Sequence, residues 1–159
     1  MAISPYIAEL RRHVGSRLLM LPSVMGVIYD EQSRVLLVRQ TADGLWSTPG
    51  GVLEPDETPS AAVVREVQEE TGLEVIVVRL LGVFGGPSFV VQYPNGDRSQ
   101  YLSAIFECAV RGGSPAPDGD ETDQLTFAGR TELARMNCQP WMKHVMPLLW
   151  QRSTSAFYQ

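Results

Sequence analysis

The spacing of apolar and polar residues divides the chain into segments with either a helical or an extended period. Near the N-terminus, SPYIAELRRHVG combines Ser4 as a helix cap, Pro5 at the first helical position and Gly15 as a stop. These signals predict a short helix inside an N-terminal helical extension of residues 1–21. The β-rich runs SVMGVIYD and RVLLVRQ follow, and the polar segment DEQS between them predicts a hairpin.

The second half of the chain predicts more strands and a closing helix. EVIVVRLLGVF is typical of a long strand, and FVVQY with RSQYLSAIFECAV predicts a second hairpin around the turn PNGD. QLTFAG predicts a last short strand, RTELARM a helical turn and PWMKHVMPLLWQ a closing helix. No repeat or long linker divides residues 1–159, which are predicted to form one domain. Mixed strands flanked by helices are typical of an α/β or α+β sandwich.

The segment after TADGLWSTPGG predicts a helix of about three to four turns. Thr58 is placed to cap its start and Gly72 to end it. Val64, Val67 and Thr71 fall together on a helical wheel, and we expect this face to be buried. The opposite face is therefore expected to be presented away from the core.

Three carboxylates lie on that opposite face, within the stretch REVQEETG. Glu66, Glu69 and Glu70 stand at i, i+3 and i+4, where like charges repel by about 0.2–0.5 kcal/mol per pair. They also crowd the C-terminal half of the helix, where the helix dipole favours positive charge. A hard divalent ion such as Mg²⁺ or Mn²⁺ would reverse both penalties, because it takes oxygen ligands and phosphates. A solvated acidic face without a ligand is the alternative interpretation.

The net charge of the chain argues against nucleic acid as a binding partner. The 159 residues carry a formal net charge of −5, which is opposite to the basic surface that nucleic acid requires. We therefore expect no stable nucleic-acid complex.

No apolar run is long enough to span a membrane and the N-terminus has no signal-peptide pattern, so we expect a cytoplasmic protein. Cys108 and Cys138 lack metal-ligand spacing and are expected to be structural or incidental thiols.

Residues 51–73 resemble the signature box of the Nudix hydrolase (MutT-like) family. The matching positions are Gly51, Glu57, Arg65, Glu66, Val67, Glu69, Glu70, Gly72 and Leu73. The preceding LWSTPGG and the order of the predicted elements also look like that family, so the resemblance spans residues 22–150. It implies a Nudix fold, with a mixed β-sheet sandwiched between α-helices. It also implies divalent-metal-dependent hydrolysis of a nucleoside diphosphate linked to another group.

The resemblance implies a set of metal ligands, which are Glu66, Glu69, Glu70 and the backbone carbonyl of Gly50. It also implies a pair between Arg65 and Glu57 that holds the loop against the helix. The adjacent glycines Gly50 and Gly51 suit a loop whose backbone approaches an ion or a phosphate closely. Carboxylates with Mg²⁺ polarise a phosphoryl oxygen and activate a water that attacks phosphorus, so no serine, cysteine or histidine nucleophile is required.

One more carboxylate is expected outside the box. Family members often take the general base, or an extra metal ligand, from a glutamate in a later loop. In DGDETDQLTF, Glu121 stands at the matching place. Asp118, Asp120 and Asp123 are close enough in sequence to take its role, and an acidic loop that only maintains solubility is a further alternative.

Three residues outside the box are candidates for substrate contacts. Arg39 ends an apolar strand and would bind a phosphate bidentately, unless it is a solvated charge. Trp46 either stacks on a base or, as we favour, packs beneath the loop. Tyr101, on the second hairpin, is a candidate for the wall of the substrate site, and Glu54 either joins the metal cluster or faces water.

These features leave three hypotheses. The favoured one is an active pyrophosphohydrolase, because every catalytic position of the box is intact. The second is a Nudix-fold module that binds a nucleotide without cleaving it, and the third is a purely structural acidic helix. No motif selects NADH or coenzyme A, so a small-molecule nucleotide of the ADP-ribose, nucleotide-sugar or NTP type is the leading expectation. The family includes many dimers, but no residue pattern here decides between a monomer and a homodimer.

Overall fold

The computed structural model describes residues 4–151 and 155–158. Its helices are α1 (Pro5–Val14), α2 (Pro59–Thr71), α3 (Arg130–Leu133) and α4 (Met142–Leu149), with a 3-10 turn at Pro87–Phe89. Its strands are β1 (Leu18–Ile28), β2 (Val35–Gln40), β3 (Trp46–Ser47), β4 (Gly50–Val52), β5 (Leu73–Phe84), β6 (Val90–Gln92), β7 (Arg98–Gly113), β8 (Thr122–Ala128) and β9 (Phe157–Tyr158). Among the helices of these described residues, none has the length and apolar character needed to cross a membrane.

Two sheets form the frame of the protein. The larger sheet has the order β4-β1-β7-β5-β9, and β6 pairs with β7. It is mixed, because β1 and β7 run parallel while β4 and β5 run antiparallel to their partners β1 and β7. The smaller sheet, β3-β2-β8, is antiparallel. This arrangement confirms the predicted α+β class with a mixed sheet and adds a second sheet.

Two clusters of buried side chains join the sheets to the helices. One cluster packs α2 against the larger sheet and includes Val24, Ile28, Val63, Val67 and Cys108. The other packs α4 against strands of both sheets and includes Val27, Leu37, Ile105, Met142 and Leu149. Cys108 is buried, Cys138 is half-buried and both are free thiols, as expected. The apolar side of the acidic helix is therefore fixed on the larger sheet.

The N-terminal helix is shorter than the predicted extension. The hydroxyl of Ser4 accepts a hydrogen bond from the backbone N–H of Ile7, and the helix stops before Gly15, as predicted. However, β1 already begins at Leu18, so residues 18–21 are strand. The reason lies in the parallel ladder with β7, which starts at the pair Leu18 and Arg98 and extends β1 beyond the run that the sequence pattern marked.

The first predicted hairpin is wrong as a sheet unit, whereas the second is confirmed. β1 and β2 belong to different sheets, and the backbone pairing between their ends is an isolated bridge between Tyr29 and Val35. Every residue from 35 to 38 is buried, so β2 serves as an interior strand with its own partners, β3 and β8. In contrast, β6 and β7 pair antiparallel around the predicted turn. The turn-rich segment before the box contributes the short strands β3 and β4.

Candidate active site

The acidic helix α2 has the predicted ends but not the predicted exposure. The Thr58 hydroxyl accepts the N–H of Ala61 at 3.2 Å, and Gly72 ends the helix with a left-handed φ of 68°. The carboxylates lie on the face opposite the larger sheet, as predicted, but Glu66 and Glu70 are only 9% and 3% exposed, so this face is not open to solvent. Their face of the helix is covered in turn by the loop that contains β4, and only Glu69 remains exposed.

The glycine pair at the start of the box touches both buried carboxylates. The Gly50 N–H donates to Oε2 of Glu70 at 2.9 Å. A Cβ added to Gly51 would lie 2.5 Å from Oε1 of Glu66, so any other residue at this position would require that carboxylate to move. The backbone of the glycine pair therefore approaches Glu66 and Glu70 closely. Its predicted approach to an ion or a phosphate stays a prediction.

The predicted pair between Arg65 and Glu57 is confirmed. Arg65 donates from Nε and Nη2 to the two carboxylate oxygens of Glu57 at 2.9 and 3.0 Å. Its Nη2 also lies 3.3 Å from the carbonyl oxygen of Val52, which ties the helix to β4. Its Nη1 donates to Glu66 and to Glu69 at 2.9 and 3.0 Å. One guanidinium group thus joins the loop to two of the three helix carboxylates.

Glu121 lies near α2, because the hydroxyl of the next residue, Thr122, donates to the carbonyl oxygen of Glu70 at 2.9 Å. Its charge contributes to raising the pKa of both Glu66 and Glu70. The alternatives to Glu121 have other partners, because Oδ1 of Asp118 accepts the N–H groups of residues 120–122 and Asp123 is paired with Arg39. Asp120 is exposed, and its carbonyl oxygen accepts a hydrogen bond from the Thr41 hydroxyl.

The three candidates for substrate contacts have partners elsewhere. Arg39 forms a bidentate pair with Asp123 at 2.8 and 2.6 Å. Trp46 is half-buried and packs against the buried cluster that includes α4, which supports the favoured packing interpretation, while its stacking on a base stays untested. The hydroxyl of Tyr101 hydrogen-bonds the hydroxyl of Tyr93 on the second hairpin. Glu54 is half-buried and donates its backbone N–H to Glu57.

Two polar residues near the carboxylates were missed by the sequence analysis. The side chain of Gln40, at the end of β2, lies 3.4 Å from the Ser47 hydroxyl and acts to lower the pKa of Glu70. The hydroxyl of Thr122 donates to the carbonyl oxygen of Glu70 at 2.9 Å. A glutamine or a threonine does not mark a functional site by its residue type. The sequence indicated these two residues only as neighbours of the candidates Arg39 and Glu121.

Burial shifts the titration of the two inner carboxylates. Burial is the main cause that raises the pKa of Glu66 to about 7 and the pKa of Glu70 to about 8. Arg65 opposes the shift of Glu66, and the N–H of Gly50 opposes that of Glu70. Near neutral pH these groups therefore hold protons that a cation would displace.

The metal-free protein is expected to be less stable at pH 8.5 than at pH 5.5. Both folded-state pKa values, about 7 for Glu66 and about 8 for Glu70, lie above the ordinary value of 4.5. The stabilisation from the bound protons is therefore fully present below about pH 4.5 and is lost as the pH rises through 7 and 8. We expect the free energy of unfolding to fall by about 2 kcal/mol or more, measured by urea unfolding in EDTA.

A Glu70→Gln variant supplies the control for this pH dependence. It removes one of the two groups and should flatten the slope between pH 5.5 and 8.5. Three carboxylates with a lowered pKa, those of Asp30, Glu57 and Asp123, lose their stabilisation only at more acidic pH, outside this window. A flat profile for the wild type, or an unchanged slope in the variant, would contradict the assignment.

The donor set fits a hard divalent cation, although the side chains do not yet converge on one point. Glu66, Glu69, Glu70 and Glu121 offer only oxygen ligands, which Mg²⁺ and Mn²⁺ prefer. Within residues 4–151 and 155–158, however, no three acidic, histidine or cysteine side chains are arranged to hold an ion as they stand. Nη1 of Arg65 bonds Oε1 of Glu66 and Oε2 of Glu69, which places these two carboxylates beside the same nitrogen.

Known proteins are similar to this chain in sequence and in fold. The NUDIX domain model matches residues 20–149. A MutT-like protein of Streptomyces ambofaciens is 41% identical over 100 residues, which cover 63% of this chain and 58% of that protein. An ADP-ribose pyrophosphatase of Methanocaldococcus jannaschii is 32% identical over 117 residues, which cover 72% and 64%. The crystal structure of a UDP-X diphosphatase superposes with a TM-score of 0.74 and 27% identity, covering 99% of this chain and 75% of that one.

These matches cover most of this chain but only part of each curated relative. The chain spans about three fifths of the length of the two curated relatives, so the likeness concerns a shared domain. The matched range includes the glycine pair, the whole of α2 and Glu121, and it covers most of the chain. By its sequence and its fold, the chain belongs to the Nudix domain family.

Proposed function

We propose that the protein is a divalent-metal-dependent pyrophosphohydrolase that cleaves a nucleoside diphosphate linked to another group. One observation carries the proposal: buried Glu66 and Glu70 lie against the backbone of Gly50 and Gly51, with Glu121 close enough to raise the pKa of both. Burying carboxylates beside one another is costly unless a cation compensates them. A structural acidic face would leave these groups in water.

Each acidic residue has a proposed role at the cation. Glu66, Glu69, Glu70, Glu121 and the carbonyl oxygen of Gly50 are the proposed ligands of Mg²⁺ or Mn²⁺. When bound, the metal would polarise a phosphoryl oxygen and make water a stronger nucleophile. Arg65 and Glu57 hold the loop against α2 through their ion pair. Glu121, in the loop before β8, is the proposed general base where it does not serve as the extra metal ligand.

The substrate class rests on the family and on two named relatives. One relative is called an ADP-ribose pyrophosphatase and one solved neighbour a UDP-X diphosphatase, and both names describe a nucleoside diphosphate joined to a second group. We therefore place such a compound first and an NTP-type substrate second. Arg39 is paired with Asp123 and must leave this partner before it can bind a phosphate of the substrate bidentately. Tyr101, whose hydroxyl bonds that of Tyr93, remains proposed as part of the wall of the substrate site.

A substrate panel tests the proposal. Nucleoside diphosphate derivatives and nucleoside triphosphates are incubated with Mg²⁺, Mn²⁺ or EDTA, and the products are resolved by chromatography. We expect cleavage of one compound class only with the metal, and the products identify the phosphorus attacked. Tight binding of one compound without cleavage would favour a nucleotide-binding module over an enzyme.

Two further measurements test the other proposals. Ultracentrifugation of the purified protein decides between a monomer and a homodimer. Fractionation of cells tests the proposed cytoplasmic location.

A further inference from the structure

The N-terminal helix α1 is attached to the protein without contributing to its core. None of its ten residues is buried. It ends at Val14, whereas the range that the NUDIX domain model matches begins at residue 20. A helix of this length is only marginally stable by itself in water. Contacts with the rest of the protein must therefore stabilise it.

The side chain of Arg11 joins α1 to the start of β7. Its Nη1 donates to the carbonyl oxygens of Gly15 and Arg17 at 3.1 and 2.6 Å. Its Nη2 donates to the carbonyl oxygen of Arg98 at 2.7 Å and to the hydroxyl of Ser99 at 3.0 Å. The Arg11 side chain is only 11% exposed, so it is held against the protein and does not extend into water. One guanidinium group thus connects segments that are more than 80 residues apart.

These acceptors lie at the open end of the ladder between β1 and β7. The first pair of that ladder is Leu18 and Arg98, and Arg17 directly precedes it. The start of β1 is little buried, since Leu18 and Met20 are 44% and 70% exposed. The end of a ladder with so little burial opens more easily than its middle. Arg11 bonds both strands at this end and therefore stabilises it.

The same side chain reaches the turn of the hairpin formed by β6 and β7. Nε of Arg11 lies 3.7 Å from Oδ2 of Asp97, the last residue before β7. The carbonyl oxygen of Asp97 accepts the N–H of Tyr93 at 2.9 Å, which closes the turn. Arg11 therefore contacts both the turn of the hairpin and the first residues of its second strand.

The hairpin carries two tyrosines whose hydroxyl groups hydrogen-bond each other. Tyr93 follows β6 and Tyr101 lies in β7. Side chains two residues apart in a strand lie on the same face, so Tyr101 shares a face with Ser99, which accepts the bond from Arg11. Tyr101 is also the residue proposed for the wall of the substrate site. A displacement of the hairpin would therefore move this wall.

We propose that Arg11 is a positioning residue, through which α1 fixes the β6–β7 hairpin and hence the pair of Tyr93 and Tyr101. The contacts of Arg11 described above lie in α1, at the start of β7 and in the turn of the hairpin. It should therefore affect the affinity for the substrate and not the chemical step. The proposal rests on the proposed function only for the role of Tyr101 in substrate binding.

Hydrogen–deuterium exchange tests the structural part of the proposal without any substrate. Arg11→Met removes the guanidinium group and keeps an apolar stem of similar length. We expect amide exchange in residues 5–15 and 93–101 to become faster by about tenfold or more, as for the loss of hydrogen bonds to a charged group. Arg11→Lys keeps the charge but not the planar fork, so it should give an intermediate change.

Steady-state kinetics test the functional part. With ADP-ribose, or with the compound of the panel that the wild type cleaves, Arg11→Met should raise KM by about two- to tenfold, the range for one hydrogen bond. kcat should stay within about twofold, because the lost binding is shared by the substrate and the transition state. Tyr101→Phe should raise KM in the same range. The double variant should raise it by less than the product of the two effects, since both changes act on one wall.

The matched control is Arg12→Met, the same substitution at the exposed neighbour on α1. It should leave the exchange rates, KM and kcat within about twofold of the wild type. Thermal unfolding of every variant distinguishes a local effect from a loss of the whole fold. If Arg11→Met does not fold, the same measurements on Arg11→Lys decide the question.

The outcomes separate this proposal from the proposed function. Wild-type exchange in residues 93–101 of Arg11→Met would overturn the proposal, whatever happens in α1. A wild-type KM in spite of faster exchange would also overturn it, because the hairpin would then not shape the site. A wild type that cleaves no compound would overturn the proposed function, while the exchange rates would still decide whether Arg11 fixes the hairpin.

Discussion

Glu69→Gln is expected to lower kcat by about 10²–10⁴-fold while the protein stays folded, the range for losing a group that acts in proton transfer or charge stabilisation. Glu69 is the one helix carboxylate whose side chain is largely exposed, at 58%. Its side chain does not pack in the core. Its carboxylate forms an ion pair with Arg65, in which Oε2 of Glu69 lies 3.0 Å from Nη1 of Arg65. Its loss also relieves repulsion with Glu66, so stability should change by only about 0.5 kcal/mol.

The matched control for Glu69→Gln is Glu31→Gln, the same substitution in the exposed turn between β1 and β2. Both variants are measured with the substrate that the panel identifies, at saturating Mg²⁺, alongside circular dichroism and thermal unfolding. A kcat for Glu69→Gln within threefold of the wild type would remove Glu69 from the site. Raised stability with unchanged kcat would favour the purely structural acidic helix.

The ends of α2 could be predicted because they depend on local chemistry. Thr58 caps the first turn and Gly72 adopts the left-handed conformation, and each effect involves residues that are close in sequence. The exposure of Glu66 and Glu70 could not be predicted in the same way. A helical wheel shows which residues share a face but not what covers that face, and here one side meets the larger sheet while the other meets the glycine pair.

The partners of the site residues depend on contacts between distant parts of the chain. Arg39 and Asp123 are separated by 84 residues in the chain. The β-bulge at Arg39 and Gln40 in the ladder between β2 and β8, which lies beside this pair, has no signal in the local sequence. The pair of Arg65 and Glu57 was predicted because the box spacing itself carries it. β9 was missed for a related reason: its two residues pair with Gly82 and Val83 of β5, and such a short segment has no period of its own.

Gly50→Ala is expected to destabilise the protein by about 3 kcal/mol or more, and to lower Tm by roughly 6–12 °C. Gly50 has a φ of 153°, which L side chains rarely adopt. An added Cβ would overlap the carbonyl oxygen of Val24 and lie 2.8 Å from Cα of Met25, so the obstacle is the backbone of β1. Relieving it requires β4 to move, which also breaks the hydrogen bond from Gly50 to Glu70.

Two other glycines separate the causes of this effect. Gly44→Ala introduces a strained φ of 70° with no heavy atom within 4 Å of the new Cβ, so it should cost only about 1 kcal/mol. Gly51→Ala meets the carboxylate end of Glu66, a side chain that can move, so we expect a small loss of stability and a large loss of kcat. Equal Tm values for the Gly50 and Gly44 variants would show that β4 tolerates displacement. The close approach of β1 would then not be what holds the glycine pair against Glu66 and Glu70.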